Sequence, residues 1–406
     1  MPSALHEPGR ASPDDLSPRE ATPAIAELLS VAVARDHETI ARQVTLARIA
    51  APSGEEADRA AWLAAQLRAQ GAADLRVDEA GNVICQLSGT EALEPLVVLA
   101  HLDTVFPRTT IPVVRRDGDR LTGPGINDNA RGLAAMLTIA GELLTGRFRT
   151  RRPIVLVGTT CEEGAGDLRG AKHYFAREPH AAATIALDGA GDSRIVHRAL
   201  GARRFRITFD GPGGHSWSAF GVPNAVHAAA VCAARLARLH LPGVPQASLS
   251  VGRMGGGMCV NAIPEHAWLE VDVRSPDRPT LDWLEREVHR AARDAQAEEN
   301  DRRSRGGAVL TAAVERFGNR PPGETPAEHP LVQAALEATR AIGAQPELAL
   351  ASTDANVPMS LGIPAIAIGA GGIGGDAHTD HEWFENVEGP RGIARALAII
   401  LAAANA

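Results

Sequence analysis

Four short stretches of this chain are apolar at nearly every consecutive position, and that pattern admits few architectures. They are Leu96–Ala100 (LVVLA), the IVLV of RRPIVLVGTT, the TIAL of HAAATIALDGAG and the AIAI of PAIAIGAGG. Each is too short for a helix and lacks the alternation of a half-exposed strand. A strand apolar on both faces has to be covered on both faces, as in a parallel sheet between two layers of helices. Helix-patterned segments do lie between and after them, among them GLAAMLTIAGELL, LVQAALEATRAIGA and the terminal GPRGIARALAIILAAA. The chain therefore reads as α/β, with a mixed, largely parallel sheet. Upstream, one helix is expected over Pro23–Ile49. A second is expected after Ser53, with Ser53 and Glu56 as a capping box and Ala61, Leu63, Ala64 and Leu67 as its apolar face.

The pattern changes near Gly201. GARRFRITFDG alternates at period two, and a helix (PNAVHAAAVCAARLARL), two strands (QASLSVGRMGG and AIPEHAWLEVDVRS), a charged amphipathic helix and the strand GAVLTAAVERFG follow. Strand, helix, strand, strand, helix, strand is the order of a ferredoxin-like α+β unit with one solvated sheet face. After NRPPGETPAEHP the buried-strand pattern resumes. The expected organisation is a leader over 1–24, disordered by composition, an α/β domain over 25–200 and 318–406, and an inserted domain over 201–317.

Composition excludes several functions. The net charge of −8, without a dense basic block, argues against nucleic acid as a partner. No apolar stretch reaches the roughly 18–20 residues of a membrane span. Four scattered cysteines with no CxxC pair suit a reducing cytoplasm.

Ligands of open α/β sheets collect at the carboxyl ends of the strands. There the sequence places His101 and Asp103, Asp128 in GPGINDNARG, the pair Glu162–Glu163, Asp188, and His378. The loop GTTCEEGAGDLRGA has two readings. Its glycines could cradle a phosphate, as in dinucleotide folds, or could turn the chain so that its two carboxylates meet a cation. Converging carboxylates repel unless a cation neutralises them, and imidazole with carboxylate is a ligand set for zinc, manganese or cobalt. In His101-Leu102-Asp103 an extended chain points the first and third side chains the same way, so Asp103 is placed to orient the imidazole.

VVLAHLDTVFP, GPGINDNARGLAAM, TTCEEGAGDLRGA, ALDGAG, GPGGHSW and GDAHTDHEWFE, in this order, resemble the successive motifs of the di-zinc peptidase and deacylase superfamily. Its members include peptidase T, glutamate carboxypeptidase, acetylornithine deacetylase and succinyl-diaminopimelate desuccinylase. The resemblance runs from about residue 40 to the end. It implies a phosphorylase/hydrolase-like α/β domain interrupted by a lid and dimerisation domain. It also implies two divalent metal ions, zinc foremost, with His101 and Asp188 on one, Glu163 and His378 on the other and Asp128 bridging. Glu162 would be the general base, and a cis peptide would follow Asp128. In the lid, His215 would reach a neighbouring active site across a homodimer and act on the oxyanion. Asn261 and Arg274 would meet the substrate, as would Thr353 and Asn356 of STDANVP. The implied activity is hydrolysis of an amide bond in short peptides. An N-acyl amino acid deacylase or carboxypeptidase is the alternative, and a dinucleotide-dependent oxidoreductase or a non-catalytic metal-binding relative stands further off. Cys161 is read as a buried structural residue, and His378 rather than His381 as the ligand. Lys172, His173 and Tyr174 are expected on a helix surface.

Overall fold

The computed structural model describes residues 24–304 and 307–406; the expected leader, save residue 24, lies outside them. Among the described residues nine strands form the central sheet. Its middle is four parallel strands in the order Ile154–Thr159, Leu96–His101, Ala183–Leu187 and Ala365–Ile368. Antiparallel partners extend both sides: Val83–Leu87 and Asp74–Val77 on one, Arg194–Ala199 and Gly323–Glu324 on the other. Glu347–Ala351 lies parallel to Arg194–Ala199. The consecutive apolar run splits between two cores. Leu96, Val98 and Ala100 join one with the helices Ala130–Leu144 and Gly389–Asn405, while Val97 and Leu99 join another with Arg169–Arg177. Both-face burial is what the run required.

The alternating segment builds a second, four-stranded antiparallel sheet. Its spatial order is Ser248–Gly256, His266–Ser275, Gly201–Asp210, Thr311–Arg320. One face packs on the helices Ala225–Ala237 and Arg278–Asp301, burying Phe205, Ile207, Leu269, Val271 and Val288 in a core of their own. Asn224 and Asp277 cap those helices by accepting backbone N–H bonds. The last strand continues to Arg320, three residues past the expected boundary. Asn356 gathers the two crossings between the sheets, its amide donating to the carbonyls of Leu200 (2.9 Å) and Pro321 (3.0 Å).

Three local expectations change. The first helix is two, Ile25–Ala34 and Asp36–Ala47. Ser53 and Glu56 form no capping box: the helix Ala57–Ala69 has no side-chain cap, and Ala60 rather than Ala61 joins its buried face. Ser53 and Glu56 instead bond to Asp103 and to Cys161, polar partners deeper in the fold than the helix end. A further small sheet joins Ile373–Gly375, Trp383–Glu385, Arg120–Thr122 and Arg115–Asp117. Its hairpin carries His378.

Candidate metal centre

The parallel strands deliver the site from their carboxyl ends. In register, His101 ends its strand beside Thr159, and Leu187 ends the next one just before Asp188. Asp128 stands between two imidazoles: its Oδ1 is 2.9 Å from His101 Nε2 and its Oδ2 is 3.2 Å from His378 Nε2. Glu163 Oε1 lies 2.9 Å from His378 Nε2, and Asp188 Oδ1 lies 3.9 Å from His101 Nε2. One ligand atom each from His101, Asp128 and Glu163 falls within 4.8 Å of the others. The peptide after Asp128 is cis.

Backbone donors and buried polar groups hold these side chains. The Asp103 carboxylate accepts the N–H of Glu162 on Oδ1 and of Glu163 on Oδ2, both at 2.9 Å, and the Ser53 hydroxyl at 2.5 Å. Its own carbonyl, 3.1 Å from His101 Nδ1, is the nearer partner of that imidazole; the carboxylate is 3.5 Å away. A carbonyl only accepts, so Nδ1 carries the proton in the neutral ring and the Nε2 lone pair faces Asp128. Glu382, fully buried, accepts the N–H groups of Gly125 (3.2 Å), Asn127 (2.8 Å) and Asp128 (2.8 Å). Asn129 ties the same loop to the Asp188 strand by bonding Leu187 and Gly189.

The glycine-rich loop now has one reading. A Cβ on Gly170 would lie 2.4 Å from the Thr160 carbonyl, and one on Gly166 would lie 2.7 Å from that of Cys161. The glycines let the chain fold back on itself. Several of its amides are already committed: Glu162 and Glu163 to Asp103, Cys161 to Glu56, Gly166 to Glu163, Gly170 to Thr160. A phosphate would find those amides taken and would face Glu162 and Glu163. The dinucleotide reading is set aside on that ground. Cys161 is buried, bonded to Glu56 and Arg169, and burial pushes its thiol up to about 12.

Charge balance shows what the cluster accepts. Burial works against the charge on Asp128, yet the two imidazoles together hold its carboxyl well below the usual range. Hydrogen bonds to Asp128 and Glu163 push His378 up to about 10. Burial opposes the charge on His101 too, but Asp103 and Asp128 hold it well above the ordinary value. Burial pushes Asp188 up to about 7, with repulsion from Asp128 adding to it, and raises Glu162 strongly. Apart from Arg320 on Glu162, the cluster has only the protons of its two imidazoles to set against these carboxylates. A divalent cation between the same nitrogens and oxygens meets that need, and the donor set fits one.

The residues of the inserted unit stand apart. His215 pairs with Ala262 in a two-residue ladder, which places it beside Asn261, whose carbonyl accepts the N–H of Ser216. Both are exposed, and among the described residues no hydrogen bond or ion pair joins either to the metal-ligand cluster. Arg274 is held by Asp272 through Nε at 2.7 Å. Thr353 is buried and bonds within its own turn, and the Asn356 amide is spent on Thr353 N–H and the two crossings. His378 and His381 are both exposed, and of the two it is His378 whose Nε2 lies near Asp128 and Glu163. Tyr174 is buried, against expectation, because the helix Arg169–Arg177 turns it into the sheet's second core.

Three buried groups at the site escaped the sequence reading. Arg320 bonds Glu162, and Glu382 holds the Asp128 loop. Asp354 accepts the Thr159 hydroxyl at 2.5 Å, and burial pushes its carboxyl up to about 6. Glu382 and Asp354 lie inside HTDHEW and STDANVP, where their polarity was visible but their direction was not.

The model of peptidase family M20/M25/M40 matches residues 97–405. The chain belongs to that family. A curated relative, the putative succinyl-diaminopimelate desuccinylase DapE of Mycobacterium tuberculosis, is 28% identical over 342 residues, covering 81% of this chain and 89% of its own. Among solved structures, a tripeptidase of Staphylococcus aureus superposes with a TM-score of 0.73 at 21% identity, covering 95% of this chain and 100% of that one. A dinuclear metal binding M20 peptidase of Bacillus subtilis superposes at 0.63 and 18% identity, covering 91% and 98%. This M20 protein is thus a metal-dependent peptidase or deacylase with the family's α/β fold. No helix among its described residues is long and apolar enough to cross a membrane.

Proposed function

We propose that the protein hydrolyses an amide bond of short peptides, as a peptidase T-like di- or tripeptidase or aminopeptidase, at a dinuclear zinc centre. His101 and Asp188 would hold one ion, Glu163 and His378 the other, and Asp128 both. The observation that carries the reading is Asp128, whose two oxygens face two different imidazoles. When bound, two divalent cations there lower the pKa of a water and polarise a carbonyl. Glu162 takes the proton of the attacking water and passes it to the leaving amine. Asp103, holding the backbone N–H of both Glu162 and Glu163, keeps base and ligand in fixed relation. The Asp103 carbonyl fixes the tautomer that leaves the His101 Nε2 lone pair for a metal.

The inserted unit completes the site in this reading as lid and dimerisation domain. Its strand Ser248–Gly256 has a free edge, and Trp217, Phe220, Met258 and Val260 stand exposed in the loops around His215 and Asn261. A second copy covering that face would bring His215 to a neighbouring site, where it stabilises the oxyanion, while Asn261, Arg274 and Thr353 orient the substrate. The cytoplasm suits the four free cysteines.

A deacylase or carboxypeptidase is the second reading, favoured by the likeness to the desuccinylase. Purified protein loaded in turn with zinc, manganese and cobalt, and assayed on dipeptides, tripeptides and N-acyl amino acids, separates the two. Glu162→Gln should retain its metal and lose turnover by about 10²–10⁴-fold. A metal-free wild type with full activity would overturn the proposal.

A further inference from the structure

Arg320 belongs to none of the motifs that define the centre, yet it bonds both the carboxylate and the main-chain carbonyl of Glu162. It is the last residue of the inserted unit's strand Thr311–Arg320 and is only 6% exposed. Its Nη1 donates to Glu162 Oε1 at 3.1 Å and to the Ser352 hydroxyl at 3.2 Å, and its Nη2 donates to the main-chain carbonyl of Glu162. Gripping a residue by both its carboxylate and its carbonyl fixes the side chain's rotamer, not only its charge. Among the described residues no other side chain bonds that carboxylate, so Oε2 is left for chemistry. The segment around Arg320 is itself anchored at three successive positions. Asn319 N–H donates to the Asp167 carboxylate at 2.9 Å, Arg320 reaches Glu162, and the Pro321 carbonyl accepts from Asn356.

We propose that Arg320 is a positioning residue for Glu162, supplied to the α/β domain by the inserted unit. It holds Oε1 and leaves Oε2 free to take the proton, and it does not serve as a substrate anchor. The inference rests on the reading of Glu162 as the base and deepens it. A lysine presents a single point charge and cannot span the carboxylate and the carbonyl as a planar guanidinium does.

The test uses the full chain, metal-loaded, with Arg320→Ala, Arg320→Lys, Glu162→Gln and the double variant Arg320→Ala/Glu162→Gln. On whichever dipeptide or N-acyl amino acid the wild type cleaves, Arg320→Ala should lower kcat by on the order of 100-fold while KM moves less than about threefold, as for an interaction needed only in the transition state. Arg320→Lys should recover part of the loss, and guanidinium ion at millimolar concentration should partly rescue Arg320→Ala. Thermal unfolding gives a readout independent of turnover. Arg320→Ala should lower Tm clearly in the wild-type background and much less beside Glu162→Gln, where no buried carboxylate is left unpaired. A raised KM with unchanged kcat, or equal Tm losses in both backgrounds, overturns the inference. Full turnover by Glu162→Gln would instead overturn the reading of the base itself.

Discussion

Asp103→Asn isolates the smallest change that the site should not tolerate. The substitution keeps the shape and replaces one acceptor oxygen with an NH₂ donor. Asp103 Oδ1 accepts the N–H of Glu162, and Oδ2 accepts the N–H of Glu163 and the Ser53 hydroxyl. Whichever way the amide is turned, one of the two backbone N–H groups meets a donor. If Nδ2 replaces Oδ2, the Ser53 hydroxyl can reverse and accept, but Glu163 N–H cannot. If Nδ2 replaces Oδ1, Glu162 N–H is orphaned. Asp103 is fully buried, so water offers no relief. An orphaned buried donor costs about 1–3 kcal/mol, and the surviving bonds lose their charge assistance. A total of about 2–3 kcal/mol is expected, a fall in Tm of about 2–4 °C for a chain of this size. Because Glu163 would shift with its backbone, affinity for the divalent ion should drop about 10–100-fold. Scanning calorimetry and titration with a competing chelator measure the two effects. Ser53→Ala is the control: it leaves both backbone bonds in place and should cost less than about 1.5 kcal/mol. An Asp103→Asn protein that unfolds at the wild-type temperature and binds metal as tightly would refute the hydrogen-bond argument.

Further outcomes follow from features already described. Gly170→Ala should cost at least about 1–3 kcal/mol, because its Cβ would lie 2.4 Å from a backbone carbonyl that cannot move aside; urea unfolding measures it. Asn356→Ala should remove about 2–3 kcal/mol through the loss of three hydrogen bonds, one buried and two part-buried, and limited proteolysis should then cut first near residues 200 and 321. Chelator treatment should lower Tm, and adding back zinc, manganese or cobalt should restore it, since a cation that binds only the folded cluster stabilises it. An unchanged Tm on chelation would count against a metal bound at these carboxylates.

The architecture was legible wherever burial was continuous. Leu96–Ala100 could be read as a two-faced strand because its surroundings leave no solvated side, and the return to period two at Gly201 marked the second sheet for the complementary reason. The ligand candidates were legible because parallel strands converge their carboxyl ends, so position along the sequence implies position in space. What stayed hidden depended on direction. Ser53 and Glu56 fit a capping box by spacing, but Asp103 and Cys161 outbid the helix end for their polar atoms. Asn356 stood in a loop suited to a substrate contact, and only the fold shows its amide spent on the two crossings. Arg320 ends a strand of one sheet and bonds a residue in a loop that follows a strand of the other, a relation that no local pattern encodes.

The Asn356 amide has a consequence for how this chain can change. Because one nitrogen donates to the carbonyls of both Leu200 and Pro321, the polypeptide leaves the host sheet and returns to it at a single point. A segment attached that way can be lengthened, replaced or repurposed without rethreading the host. Change can therefore accumulate over some hundred residues of inserted segment while the frame that carries the His101, Asp128 and Glu163 cluster stays fixed. The freedom stops at the seam, where Asn319, Arg320 and Pro321 are each bonded to the host. Any replacement module would have to end in the same three contacts.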